Sequence, residues 1–206
     1  MNINIIIVFL AALCVFTYGC NRSGDGEKFD FRNAHWGMSP EKVKESEAMA
    51  PGDEKPGVIT YSGEIEGKPA IVGYLFDDGK LVRAGYLVTE SYDTPEAYVQ
   101  NFDSLKDYYV KTYGKPTYDM VNWKEEIPQV VSPDQYPELV CNGDLQYLTG
   151  WETQGTMVRL KLQGREGKCE LGVMHESKKW YVMPEMKEKE REKYRKNMKR
   201  GGAEER

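Results

Sequence analysis

The chain has 206 residues, of which 40% are hydrophobic and 30% charged, as in an ordinary globular protein with a sizeable core. Residues 20–183 carry 19 Lys and Arg against 27 Asp and Glu, a net charge of -8, whereas residues 184–206 carry 9 against 6, a net charge of +3. An acidic body argues against nucleic acid as the main partner, because phosphate binding needs a basic face.

The N-terminal stretch has the composition of a signal peptide. The first 19 residues hold no charged side chain, and residues 5–16, IIIVFLAALCVF, form an unbroken apolar run. That run suits a signal-peptide core and is shorter than a bilayer span usually needs. We therefore predict a signal peptide over residues 1–19.

The segment TYGC, which ends at Cys20, resembles the lipobox of bacterial lipoproteins. Gly19 is the small residue at the cleavage site, and Cys20 offers the thiol to which a lipid is joined as a thioether. The resemblance implies a lipid anchor at Cys20, and Asn21 after it favours the outer membrane, facing the periplasm. The Ser/Gly/Asp-rich residues 20–28 predict a tether. Ordinary secretion and an uncleaved anchor are the alternatives.

Two helix starts share one pattern. SPE places Ser39 at an N-cap before Pro40, and TPE places Thr94 and Pro95 in the same positions. A cap hydroxyl satisfies a free helix N–H group, and Pro in the first turn loses no hydrogen bond. The second helix should end at Gly114. Its apolar stripe comprises Tyr98, Phe102, Leu105, Tyr109 and Tyr113.

Each helix is followed by segments that are rich in β-branched and aromatic residues and are joined by turn sequences. These predicted strands are GVITYSGEI, KPAIVGYLFD and KLVRAGYLVTE, then LQYLTGWET, TMVRLKLQG and KCELGVMHE. Residues 127–139, before the second set, contain several Pro and predict a loop. The predicted fold class is α+β, with two tandem helix-plus-antiparallel-strand repeats at residues 29–92 and 93–183.

Residues 184–206 predict a charged C-terminal helix or tail, rich in Glu, Lys and Arg. A solvated helix or frayed end is one interpretation. A basic contact with anionic lipid or cell-wall polymer is the other.

Two stretches carry a family resemblance. HWGMSPEKVKESE, residues 35–47, and YLFDDGKLVRAGY, residues 74–86, are similar to the short motifs of small outer-membrane-assembly lipoproteins. The doubled layout resembles the tandem architecture of the β-lactamase inhibitory proteins, and YGKP followed by a strand resembles uncharacterised bacterial envelope lipoproteins. Members of these families bind or scaffold, so the resemblance implies a non-catalytic protein.

Cys141 and Cys169 are the cysteines that remain after Cys20 in the predicted mature chain. In an oxidising envelope an even pair predicts a disulfide. Two buried free thiols are the alternative.

Motifs that carry chemistry are not found. The sequence has no G-x-S-x-G elbow, phosphate-binding loop or dinucleotide fingerprint. His35 stands at the start of the first helix, where packing or capping is its expected role. His175 lies near a strand end, and two isolated His do not make a metal site. We expect no catalytic residue, no cofactor and no metal.

The aromatic residues of the strands are the remaining candidates. In the predicted strands, alternation gives apolar side chains to both faces of the sheet. The aromatic residues among them that we single out are Tyr74, Tyr86, Tyr147 and Trp151. We predict that part of this set lines a partner-binding surface, because an apolar face left in water usually marks an interaction site. The competing interpretation is that these rings fill the core between the repeats.

The sequence thus favours a lipid-anchored envelope protein that binds another envelope protein or the cell wall, without catalysis and without nucleic acid. The alternative is an envelope hydrolase or small-ligand-binding lipoprotein whose site is assembled from distant residues. A deep polar pocket that holds His35 or His175 beside an acidic partner would favour the alternative.

Overall fold

A computed structural model describes residues 29–124, 131–165 and 168–181. It contains helices α1 (Pro40–Ser46), α2 (Pro95–Tyr113) and α3 (Tyr136–Asn142), and a short 3-10 turn at Pro133–Gln135. The strands are β1 (Asp53–Lys55), β2 (Val58–Ile65), β3 (Lys68–Asp77), β4 (Lys80–Val88), β5 (Tyr118–Trp123), β6 (Leu145–Glu152), β7 (Thr156–Arg165) and β8 (Lys168–Ser177). No helix within these ranges combines the length and apolarity that a bilayer crossing needs.

Both predicted helix starts are confirmed. The hydroxyl of Ser39 accepts a hydrogen bond from the N–H of Lys42 at 3.4 Å, and the hydroxyl of Thr94 accepts one from the N–H of Ala97 at 3.3 Å. Helix α2 ends at Gly114, whose φ of 80° is a conformation that glycine adopts at little cost. The local cap chemistry therefore fixes where the helices begin and end.

The eight strands form a single antiparallel sheet in the order β1-β2-β3-β4-β8-β7-β6-β5. The α+β class is confirmed, but two separate helix-plus-strand repeats are not what the structure shows. Strand β4 of the first half pairs with β8 of the second, with Tyr86 opposite Val173, and this pairing merges the two strand sets into one sheet. The predicted charged helix or tail at 184–206 lies outside the described residues, as do the predicted signal peptide and the whole predicted tether.

All described helices pack on the same face of this sheet. Val43 of α1 lies in one buried cluster with residues of β2, β3 and β4. Phe102 and Leu105 of α2 and Val140 of α3 lie in a second cluster with residues of β6, β7 and β8. We call the opposite side the open face; no described helix covers it. Its side chains come from the odd positions of β3 and β4 and the even positions of β8.

The segment predicted as a Pro-bearing loop contains a helix. Pro137 occupies the first turn of α3, where it loses no hydrogen bond, and Gly143 ends the helix with a φ of 88°. The prediction of a loop over residues 127–139 is wrong in its second part, because Pro at a helix start reads in sequence like a turn residue.

Cys141 at the end of α3 and Cys169 at the start of β8 form a disulfide with Cα atoms 4.6 Å apart. That separation is within the range that a disulfide permits. Cys169 also packs against the same buried cluster as Leu171 and Val173, which is the inward orientation expected from strand alternation. The bridge would attach α3 to the sheet.

We predict that the protein carries this bond when it is purified without a reductant. Non-reducing peptide mapping should recover one peptide pair that joins Cys141 to Cys169. Removing the bond in Cys141→Ser should lower the free energy of unfolding by roughly 3 kcal/mol, because the closed loop restricts the unfolded chain. Cys169→Ser should give the same loss, and alkylation of both thiols in the unreduced protein would contradict the prediction.

Two neighbouring glycines of the open face provide a test of the sheet geometry. An added Cβ at Gly85 would lie 2.6 Å from the Sδ of Met174 and closer still to the carbonyl oxygen of Val173, whereas one at Gly73 meets nothing within 4 Å. We expect Gly85→Ala to lower the free energy of unfolding by about 1–3 kcal/mol, because backbone must move. Gly73→Ala should change it by less than about 0.5 kcal/mol. Equal effects in denaturant unfolding would contradict the β4–β8 pairing.

Candidate functional site

The four aromatic residues predicted for a partner surface lie on the helix-covered face. Tyr74 and Trp151 are buried, so these two do not line an exposed surface. Tyr86 and Tyr147 are half-buried and pack against the second cluster. The physical reason is that alternation sorts side chains between two faces without telling which face the helices cover.

The open face carries the exposed apolar side chains instead. Ile71 of β3 and Leu87 of β4 stand directly opposite each other and are 41% and 37% exposed. Beside them, Gly73 and Gly85 also face each other, and a groove of about 230 Å³ runs over this glycine pair. Met174 of β8, opposite Gly85, closes one end of the groove. An apolar side chain of a partner could enter there and contact the backbone.

A buried charge cluster borders the groove. Glu176 of β8 is fully buried, and its two carboxylate oxygens lie 3.3 Å from Nε of Arg83 and 3.2 Å from Nη1 of Arg159. The Arg83 guanidinium also lies over the ring of Tyr181, 5.4 Å from its centre. A carboxylate withdrawn from water needs such partners, and loss of either Arg would leave it poorly compensated. The cluster therefore fixes the arrangement of β4, β7 and β8 at the open face.

A second concavity lies on the helix-covered side, and we call it the tyrosine cleft. Its volume is about 270 Å³, and it is bounded by the N-terminal segment, strand residues and the C-terminal half of α2. The lining residues are Phe29, Asp30, Phe31, Arg32, Ile65, Tyr86, Tyr108, Tyr109, Thr112, Tyr113 and His175.

His175 forms part of the cleft wall and is almost completely buried. Its Nε2 lies 3.3 Å from the hydroxyl of Tyr109, and its ring packs against Phe31 with centroids 5.0 Å apart. The Nδ1 atom has no hydrogen-bond partner among the described residues. Burial lowers the pKa of His175 from 6.5 to about 4, so the imidazole is neutral at neutral pH.

The charged groups of the cleft are already paired. Arg32 binds both carboxylate oxygens of the buried Glu47, at 3.0 and 3.1 Å. Glu47 in turn accepts a hydrogen bond from the buried Tyr74 hydroxyl.

Asp30 lies 3.6 Å from Nδ1 of His35 and accepts a hydrogen bond from the N–H of Trp36. His35 therefore joins the packing of the N-terminal segment, as expected for a residue at a helix start, and the acid beside it does not reach His175.

Sequence reasoning missed both concavities. The signal for the groove was present, since alternation puts Ile71, Gly73 and Leu75 on one face, but only the register with β4 and β8 brings Leu87 and Met174 beside them. The cleft depends on a contact between the N-terminal segment and α2, residues that are far apart in sequence. Comparisons with family models, curated proteins and solved structures gave no match.

The neutral state of His175 predicts a pH dependence of stability. Because its folded-state pKa of about 4 is below the unfolded value of 6.5, the unfolded chain binds the proton more tightly. The stability that depends on neutral His175 is complete above pH 6.5 and declines as the pH falls towards 4. Between pH 7 and pH 5 the loss should be about 2 kcal/mol.

The His175→Phe variant should not show this loss of unfolding free energy between the two pH values, because Phe does not titrate. The comparison is the change in unfolding free energy between the two pH values, by denaturant titration of wild type and variant. Identical changes in both proteins would show that His175 already takes up its proton in the folded state near pH 6.5.

Proposed function

We propose that this protein is a lipid-anchored component of the bacterial cell envelope, held at the outer membrane and facing the periplasm. In this proposal it acts without catalysis, by binding another envelope protein through the open face of its sheet. The observation that carries the proposal is the exposed Ile71–Leu87 pair beside a groove with a glycine floor. The lipobox-like TYGC supports the location.

The chemistry of the open face supports a protein partner. Adjacent exposed apolar side chains are a feature of interaction sites, and partner residues inserted into a small groove commonly provide most of the binding energy. The Arg83–Glu176–Arg159 cluster beside the groove has a net charge of +1, which would favour an apolar segment that carries an acidic residue at its edge. The glycine floor lets that segment approach the backbone closely.

A second candidate is a small-ligand-binding lipoprotein, and the tyrosine cleft favours it. A hydrolase site would need His175 beside an acidic partner. The cleft holds His175, but the hydrogen-bond partner of its ring is Tyr109, and no carboxylate pairs with it among the described residues. A general base oriented by a carboxylate is the usual device of a hydrolase. The geometry thus supports ligand binding more than hydrolysis.

The lipid anchor is tested at Cys20. Mass spectrometry of the membrane fraction should find an acylated N-terminal Cys20, and Cys20→Ala should release the protein from membranes, because the thioether is lost. Cys14→Ala, inside the predicted signal peptide, is the matched control and should leave anchoring unchanged. A mature form that begins elsewhere would contradict this part of the proposal.

The partner is tested by crosslinking in intact cells. A photoreactive amino acid in place of Ile71 or Leu87 should give an adduct with one and the same envelope protein. The control position is Val110 on the outer side of α2, which is 37% exposed and should give no such adduct. An adduct with the mass of two copies of this chain, or no adduct at either open-face position, would contradict the proposal.

A further inference from the structure

We propose that the tyrosine cleft is a binding site for a small uncharged ring that carries hydroxyl or amide groups, such as a single sugar unit. The site is separate from the open face, and the inference does not depend on the protein-binding role proposed above. It rests on the shape of the cleft, on the pairing of its charges and on the polar atoms that face it.

The walls of the cleft are faces and edges of rings. Tyr109 and Tyr113 lie nearly parallel, with centroids 5.8 Å apart and an interplanar angle of 8°, while Phe31 and Tyr86 approach each other at 5.1 Å on the sheet side. His175 packs against Phe31 and Tyr109. Ring faces of this kind offer flat apolar contact area, and a ligand with a flat face of its own would match it.

The charge distribution argues against an ionic ligand. Arg32 is held in a two-point ion pair by Glu47, and Asp30 accepts a hydrogen bond from the Trp36 N–H beside the His35 ring. Taking up an anion or a cation would require one of these pairs to be broken or shared, at a cost that an uncharged ligand avoids.

The inner wall offers hydrogen-bonding atoms without net charge. Burial raises the pKa values of Tyr86, Tyr109 and Tyr113, so their hydroxyls stay protonated, and His175 is neutral. His175 is only 5% exposed, and its Nδ1 atom has no hydrogen-bond partner among the described residues. Nδ1 is closed to solvent, so the polar groups that meet a ligand in the cleft are the hydroxyls of the tyrosines that line it, and each of these can both donate and accept a hydrogen bond.

The same argument excludes a purely apolar ring. Such a ligand would cover the hydroxyls of lining tyrosines such as Tyr108 and Tyr113 and give no hydrogen bond in return. The cavity of about 270 Å³ is slightly below the range of drug-sized sites, which fits one or two rings. A ring with several hydroxyl or amide groups meets both requirements.

The imidazole nitrogens provide a direct readout, since the chain has only 2 His. The experiment uses the full chain with ¹⁵N-labelled histidine, purified in mild detergent, and assigns the two rings with His35→Gln. N-acetylglucosamine, methyl β-glucoside and myo-inositol are the neutral probes, and benzoate is the charged one. At least one neutral probe should shift Nδ1 of His175 saturably, with a dissociation constant of about 1 mM or tighter.

Rim variants locate the binding. Thr112→Trp places a bulky ring at the exposed cleft rim and should weaken binding at least about tenfold. Ser104→Trp, also exposed on α2 but away from the cleft, is the matched control and should bind as wild type. The proposal is overturned if no neutral probe gives a saturable shift, if benzoate binds as tightly as the best neutral probe, or if the two variants weaken binding equally.

Discussion

The pairing of β4 with β8 is the constraint on which the rest of the structure depends. It joins the two strand sets into one sheet and places Tyr86 opposite Val173 and Gly85 opposite Met174. Neither concavity would exist without it, because the groove takes lining residues from both strands and the cleft takes Tyr86 from one and His175 from the other. The absence of a side chain at Gly85 is what allows the two backbones to approach.

The buried polar groups on the two faces of the sheet differ in how well they are paired. On the open face, Glu176 is compensated by two Arg side chains from neighbouring strands, which fixes strand positions through charge. On the covered face, the neutral His175 is only partly satisfied, by Tyr109. A fully compensated buried group stabilises one arrangement, whereas a partly satisfied one leaves hydrogen-bonding capacity for something else.

Much of the fold follows from local sequence chemistry, and the remainder depends on contacts distant in sequence. Ser39 and Thr94 predict the helix starts because a cap is a local hydrogen bond. Alternation places Ile71 and Tyr74 on opposite faces, which is also correct. It does not say that helices cover the Tyr74 side, which is why Tyr74 and Trp151, two of the four predicted residues, are buried. Pro137 shows the same limit, since Pro occurs both in turns and at helix starts.

The N-terminal segment gives the cleft a mechanical property. Phe29, the first described residue, lines the cleft together with Asp30 and Arg32, and this stretch is fastened by the Asp30–Trp36 hydrogen bond and the Arg32–Glu47 pair. A pull on the chain before Phe29 acts on these contacts and on the backbone hydrogen bonds between Phe31 and Ala34 before it reaches the strands of the sheet. If the chain is held at its N-terminal end, as we propose, any pull from that end would act first on the segment that forms one wall of the cleft.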